Sequence, residues 1–401
     1  MNLLDLSWAN LKDKKLNSFL SALLLTLGIG IISLLLLLNK QLDEQFRRNL
    51  KGIDMVVGAK GSPLQLILSS VYQIDAPTGN IPLEEVDKLA RNPMVKSAIP
   101  LSMGDNYYGF RIVGTTEKYV EQFGGELESG ELFANSMEVT IGYKVAEAAG
   151  LKIGDTFAGS HGFDQEGDAH GDHLYKVKGI FKPSGSVLDQ LILTPLNSVW
   201  DIHADHEHDA AAEEDDDHEE VREVTSALIT FRNPMAMMTL PRMINENTKL
   251  QSALPSIEIN RLIELLGVGI ETLRALAILI MLIAGVSVFV SLYNSLKERK
   301  YEMALLLSMG ATRTKLFLLL LFEGLLLAII GFVAGIALSR LGLWVFSKTA
   351  ERDFHYSFRD FSVLPEEFYL LGAAILVGIL AAALPSLGIY RINISKTLAE
   401  D

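Results

Sequence analysis

Four blocks of the chain are apolar over about the 20 residues that a helix needs to cross a bilayer's hydrocarbon core of about 30 Å. They are Phe19–Leu38, Ala275–Leu296, Leu316–Ser339 and Phe368–Tyr390, and only Glu323 places a charge inside any of them. The pattern predicts four transmembrane helices. The first block sits where a signal peptide would, but Leu38 is followed by Asn39, Lys40, Gln41 and Leu42 and not by a small-residue cleavage site, so it is expected to be retained. Residues 39–270, between the first and second blocks, have the pattern of a folded domain. Leu174–Phe181 alternates as a half-buried strand does, and Leu191–Leu196 supplies another. Val139–Phe157 reads strand, helix, turn, strand. Pro82–Ala90 and Pro234–Asn247 are helix candidates, the first opened by a proline. The small residues of Met55–Pro63 suggest a tight turn between packed elements. The predicted fold class is therefore a membrane protein of four transmembrane α-helices, with a large mixed α/β domain inserted between helices 1 and 2.

Lysine and arginine in the short flanking segments set the expected orientation, since such segments stay preferentially on the cytoplasmic side. Lys12, Lys14 and Lys15 precede the first block, and Lys297, Arg299, Lys300, Arg313 and Lys315 fill the loop between the second and third. Both termini, including the tail 391–401, are then cytoplasmic, and the 39–270 domain and the 347–365 loop lie outside. Residues 1–18 place Leu4, Trp8 and Leu11 at helical spacing ahead of the lysines, which suits an amphipathic helix on the inner leaflet.

Composition narrows the function. The net charge is −14, but residues 201–223 hold twelve Asp or Glu against Arg222 alone, so the rest of the chain is near neutral and offers no broad basic surface for nucleic acid. There is no cysteine, hence no disulfide or thiolate metal site. No Walker A phosphate loop occurs, and no nucleophile–base or acid pair suggests an enzyme.

The 297–315 loop predicts a short helix. Tyr301, Leu305 and Leu306 recur at helical spacing, the ridge ends at Met309, and Gly310 is a natural stop. Such a helix either docks into a groove on another protein or lies in the membrane interface. In the third block Gly331 and Gly335 form a small-xxx-small pair suited to close helix packing. Glu323 lies two turns from that block's start, where a structural hydrogen bond and a role in a pathway are both open readings.

Leu296-Lys-Glu-Arg-Lys-Tyr-Glu-Met-Ala-Leu-Leu-Leu-Ser-Met-Gly-Ala-Thr312 resembles the signature of the FtsX/MacB family of ABC transporter permeases. Phe322-Glu323-Gly324, Gly331-x-x-x-Gly335 and the Ala-x-x-x-Gly-Leu-x-x-Gly-Asp pattern ending at Asp155 are similar to that family too. The resemblance implies that Glu298, Arg299, Glu302, Leu305, Met309 and Gly310 contact a cytoplasmic ABC ATPase dimer that binds the ATP. It also implies a mixed α/β outer domain with two lobes, and location in a bacterial inner membrane. Four spans do not enclose a channel easily, so a second copy or a homologous sibling is an expected partner, beside membrane lipids.

Seven of the eight histidines fall between 161 and 218. His161, His170 and His173 stand with Asp164, Asp168 and Asp172 in one glycine-rich stretch, read as a surface-loop insertion over 159–173. His203, His206, His208 and His218 stand in the acidic run, read as a second insertion over 201–223. Imidazole beside carboxylate suits Zn²⁺. Two functions follow: a permease linked to zinc acquisition or handling, with a periplasmic metal-binding or substrate protein as a further partner; or a mechanotransmission permease for lipoprotein, lipid or peptide export or for activation of a cell-wall hydrolase, with incidental histidine loops.

Overall fold

The computed structural model describes residues 3–50, 52–161, 169–202, 222–354 and 361–391. The chain divides into two compact units, Met1–Leu42 with Leu265–Asp401, and Asp43–Glu264.

The first unit is helical. Four helices are long and apolar enough to cross a membrane: Lys15–Leu50, Pro255–Glu298, Arg313–Ala350 and Pro365–Tyr390. They are the first to fourth spans below. Each encloses one apolar block, and the first two run well past it, by twelve residues after Leu38 and twenty before Ala275. Hydropathy reads only the lipid-facing length. The extensions are amphipathic and carry Phe46, Leu50, Ile259, Leu262 and Ile263 into a core of the second unit. The third-span helix likewise continues to Phe354, so the expected 347–365 loop starts as helix. A helix over Leu3–Asp13 precedes the first span, and another over Lys300–Ser308 links the second and third.

Small residues let the spans approach closely. Leu25, Ile29, Met281, Ala284, Val288, Leu292, Leu327, Ala374, Ala381 and Ala382 form one buried cluster drawn from all four. A Cβ placed on Gly324 would stand 2.8 Å from the carbonyl oxygen of Gly378, so the third and fourth spans touch backbone to backbone.

The second unit is the mixed α/β domain. Strands are numbered β1 Met55–Ala59, β2 Ile81–Pro82, β3 Val95–Tyr107, β4 Phe110–Thr115, β5 Leu127–Gly130, β6 Glu138–Ile141, β7 Thr156–His161, β8 Ala169–Phe181, β9 Ile192–Pro195, β10 Glu223–Val224, β11 Ser226–Phe231 and β12 Leu250–Ala253. The 13-residue β3 serves two lobes. Its first half pairs with β11 and continues the open sheet β12-β1-β11-β3; its second half pairs with β4 and β7. From there the ladder runs β3-β4-β9-β6-β8-β7 and returns to β3, which closes a six-stranded barrel and leaves β5 on the free side of β8. Phe110, Ile112, Val139, Ile141, Phe157, Tyr175, Val177 and Ile192 fill the barrel's core.

The helices predicted from Pro82 and Pro234 are Leu83–Ala90 and Ala236–Asn247, and both cover one face of the open sheet. Met55–Pro63, read as a tight turn, is a strand for its first five residues. Val56 and Val57 are fully buried, and Met55–Ala59 is strand β1, hydrogen-bonded on both sides by β11 and β12, so that only residues 60–62 bend, into a short helix over Pro63–Ile67. Its glycine-containing run of small residues gave a turn signal, but two-sided ladder pairing and burial outweigh that signal.

Candidate functional site

The Lys300–Ser308 helix is short because both ends are built to stop it. Arg299 leaves helical geometry at φ −98° and ψ 16°, and its Nε donates to Glu302 Oε2 at 2.8 Å across the first turn. At the other end Gly310 has φ +96°. Its amide donates to the Leu307 carbonyl at 3.1 Å, and the Ala311 amide donates to Leu306 at 3.0 Å. This is a Schellman cap, which needs a residue without a Cβ at that position. The helix is therefore three residues shorter at its start than the 297–315 pattern suggests, and Glu298 belongs to the end of the second span.

One side of this helix is anchored. Met303 and Ala304 are buried with Leu296, Leu316, Leu320 and Ile389, and Leu306 and Leu307 pack against them. Leu306 was expected on the outward ridge; its three-residue spacing from the buried Met303 turns it to the anchored side instead. The opposite side presents Tyr301, Leu305 and Met309, one turn apart, at 43%, 45% and 76% exposure. The carboxylates of Glu298 and Glu302 stand exposed beside this row, while Arg299 is largely covered. Of the six residues carried over for an ATPase contact, Leu305 and Met309 are thus available to a partner with the exposed Glu302 beside them, Gly310 shapes the cap, Arg299 is committed to Glu302, and Glu298 pairs with Lys14.

Gly331 and Gly335 lie against the first span. A Cβ on Gly331 would come within 2.6 Å of Leu25 Cβ, and one on Gly335 within 2.9 Å of Ile29 Cβ. Farther along the same helix stands a charged cluster that the apolar blocks concealed, because they ended at Ser339 and resumed at Phe368. Arg340 donates to Glu367 through both terminal nitrogens, at 2.6 and 2.8 Å, and the carboxylate is 1% exposed. Ser33 Oγ also donates to Glu367 Oε1, at 2.5 Å, and the Leu364 amide donates to Oε2 at 3.1 Å. Arg340 further donates to the Ser362 carbonyl at 2.9 Å. Charges flanking an apolar block were the available signal; nothing in the sequence paired them.

The first histidine group belongs to the β7–β8 hairpin. The stretch 159–173, expected as a loop, is strand up to His161 and again from Ala169, with Ser160 opposite Ala169. Stacking at the hairpin's base explains the extra strand. Phe157 faces Tyr175 at 5.7 Å between ring centroids and Tyr107 at 4.3 Å, and burial pushes the Tyr175 phenol's pKa up. The hairpin thereby brings the backbones of His161 and His170 to adjacent strand ends, with His161 opposite Asp105 on β3. His173 is half-buried on β8. Asp164, Asp168, His203, His206, His208 and His218 lie outside the described residues, as do the side chains of His161, His170 and Asp172. Among the described residues no three His, Asp or Glu side chains stand close enough to hold a metal ion.

Residues 18–228, more than half of the chain, match the family model of a MacB-like periplasmic core domain, and residues 274–394 match that of the FtsX-like permease C-terminal region. Similar solved structures include the periplasmic region of MacB from Actinobacillus actinomycetemcomitans, at 13% identity and TM-score 0.34, covering 54% of this chain and 96% of that one. Another is the extracellular domain of the noncanonic ABC-type transporter YknZ from Gram-positive bacteria, at 13% identity and TM-score 0.32, covering 49% and 98%. No curated protein matches the chain.

Proposed function

Because this chain belongs to the FtsX/MacB family of ABC transporter permeases, we propose that the Lys300–Ser308 helix is its coupling element, through which a separate cytoplasmic ATPase drives motion of the Asp43–Glu264 domain. Members of this family are not catalytic themselves, and they are multi-pass inner-membrane proteins whose family implies an ATPase partner. The observation that carries the coupling reading is the exposed row Tyr301, Leu305 and Met309 on a helix whose opposite side is anchored in a buried cluster. An apolar ridge on a rigid base suits a groove in a partner protein, with Glu302 as polar rim. The loop and both termini are accordingly cytoplasmic and the α/β domain periplasmic. Replacing Leu305 and Met309 by Asp in the full-length chain should abolish co-purification of the ATPase while leaving membrane insertion intact. Undiminished co-purification would refute the assignment.

The finer proposal is that the outer domain handles zinc. Its support is the concentration of histidines, with the hairpin bringing His161 and His170 to neighbouring strand ends. Ligation needs neutral imidazole, so Zn²⁺ binding should weaken as pH falls through about 6.5. Titrating the full-length chain in nanodiscs with Zn²⁺ and Ca²⁺ at pH 7.5 and 5.5, with His203, His206 and His208 changed to Ala in parallel, tests this. Zinc binding no tighter than calcium, or unaffected by those changes, favours instead a mechanotransmission permease for lipoproteins, lipids or peptides, or for a cell-wall hydrolase.

A further inference from the structure

We propose that the Leu3–Asp13 helix is a working part of the coupling machinery, held by a two-point polar latch, Lys14–Glu298 and Asn10–Glu323, that makes the first span follow the coupling helix. The proposal rests on the coupling reading of the Lys300–Ser308 helix.

An amphipathic helix whose only task is to lie on lipid buries an apolar stripe and exposes a polar one. The Leu3–Asp13 helix does not follow that rule. Among its described side chains the buried ones are Ser7, Asn10 and Leu11, at 0%, 6% and 9% exposure, and with Lys14 they occupy positions i, i+3, i+4 and i+7 of one face. Trp8 is on the exposed side, with the Lys12 ammonium 5.5 Å from its ring centroid. The amphipathic reading of residues 1–18 thus holds for Trp8 and Lys12, but the buried face sets the polar Ser7 and Asn10 beside Leu11, which joins the apolar cluster of the spans.

Asn10 and Lys14 on that face each have a defined partner on a neighbouring span, and Ser7 lies beside one. Ser7 Oγ donates to the Leu3 carbonyl of its own helix at 2.9 Å and faces the Leu319 carbonyl of the third span at 3.2 Å. Asn10 Nδ2 donates to Glu323 Oε1, on the same span one turn farther on. Lys14 Nζ pairs with the carboxylate of Glu298, the last residue of the second span and the neighbour of the Arg299 break where the coupling helix starts. Glu323 is 2% exposed, and a carboxyl so buried costs stability that leucine or glutamine there would not. Packing alone gives no reason for it. A polar contact that must be made in one geometry does, because it fixes register between helices that apolar contact would let slide.

The mechanical consequence follows from connectivity. The coupling helix is covalently joined to the second and third spans only. The latch joins both of those to the Leu3–Asp13 helix, which passes through the single turn residue Lys14 into the first span. That span's helix is unbroken to Leu50, beyond Leu42 where the helical unit ends. Lys14, Asn10 and Glu323 are therefore positioning residues that let the first span be pulled directly.

The chain has no cysteine, so spin labels can be placed without background. Labels at Leu16, 77% exposed at the start of the first span, and at Ser308, the end of the coupling helix, report their separation in the full-length complex in nanodiscs with and without ATP. In the parent the two should move together and the distance should stay constant. Lys14→Glu or Glu298→Lys alone should make the distance change on adding ATP, and the two together should restore constancy. Glu323→Leu should act like the single reversals, whereas Glu323→Gln, which still accepts from Asn10, should not. A purely structural contact predicts no ATP-dependent change in any variant, and that result, or failure of the charge swap to restore the parent behaviour, overturns the latch. Loss of ATPase co-purification in Glu298→Lys that the swap does not repair would overturn it too, by assigning Glu298 to the partner. If the parent itself never co-purifies with an ATPase, the coupling reading fails and the latch falls with it.

Discussion

Removing Glu367 tests how the membrane unit is held together. Its carboxylate receives four donors, two from Arg340 and one each from Ser33 and Leu364, and is 1% exposed. Glu367→Leu leaves the Arg340 guanidinium, itself only 17% exposed, with the Ser362 carbonyl and two serine hydroxyls. An uncompensated buried charge of this kind costs about 3–5 kcal/mol. The same change removes the bond to the Leu364 amide at the start of the fourth-span helix, adding about 1 kcal/mol. Arg340→Met strands the carboxylate but leaves it two donors, so its cost should be lower, about 3 kcal/mol. The double variant loses the pair with no orphaned charge and should cost only the cap and some packing, about 1–2 kcal/mol. The double-mutant cycle should then give a coupling of at least about 3 kcal/mol. Reversible unfolding of the full-length chain in bicelles by steric trapping measures it. A cost under about 1 kcal/mol for Glu367→Leu, or a double variant as unstable as the sum of the singles, would show that water screens the pair and would refute the reasoning.

Gly335→Leu should separate the first and third spans, since even a Cβ would meet Ile29 at 2.9 Å and the Thr26 carbonyl at 3.1 Å; cross-linking between cysteines placed on the two helices should fall, and Gly335→Ala should have the smaller effect. Gly310→Val forces a β-branched residue to φ +96° and should cost about 1–2 kcal/mol of coupling-helix order, read as faster amide exchange over Lys300–Ser308, with Gly310→Asn intermediate. Glu138 accepts from the Ala134 and Asn135 amides at 3.2 and 3.1 Å and pairs with Lys178 at 3.4 Å, and hydrogen bonding to the Asn135 amide first of all holds its pKa below the usual range. A depressed carboxylate pKa adds stability above the unfolded value of about 4.3 and loses it as pH falls through the folded value, so amide protection of β6 should drop in acid; Glu138→Gln should flatten that dependence and cost about 1–2 kcal/mol at neutral pH.

The apolar blocks were legible because a bilayer demands about 20 consecutive apolar residues whatever the tertiary arrangement, and Gly310 was legible because a chain reversal after a helix selects for glycine. The same local logic gave the strand, helix, turn, strand order of Val139–Phe157. Long-range pairing was beyond it. β3 reads as one strand, yet only the fold splits it between an open sheet and a barrel, because strand partners are chosen by residues far apart in the chain. Met55–Pro63 reads as a turn, yet two-sided pairing makes Met55–Ala59 a strand and leaves only the residues after it to bend. Glycine 159 to His173 looked like a loop because its charges hide the periodicity, while the Phe157–Tyr175 stack continues the ladder into it. Arg340 and Glu367 stand at the flanks of apolar blocks, Lys14 reads as one of the cytoplasmic lysines that set orientation, and Asn10 carries no local signal at all. A hydropathy pattern reports how far each residue lies from water; it carries no record of which polar group meets which. In the interior of a helical membrane unit, where burial is common to every face, those pairings are what distinguish one packing from another, and only the tertiary structure decides them.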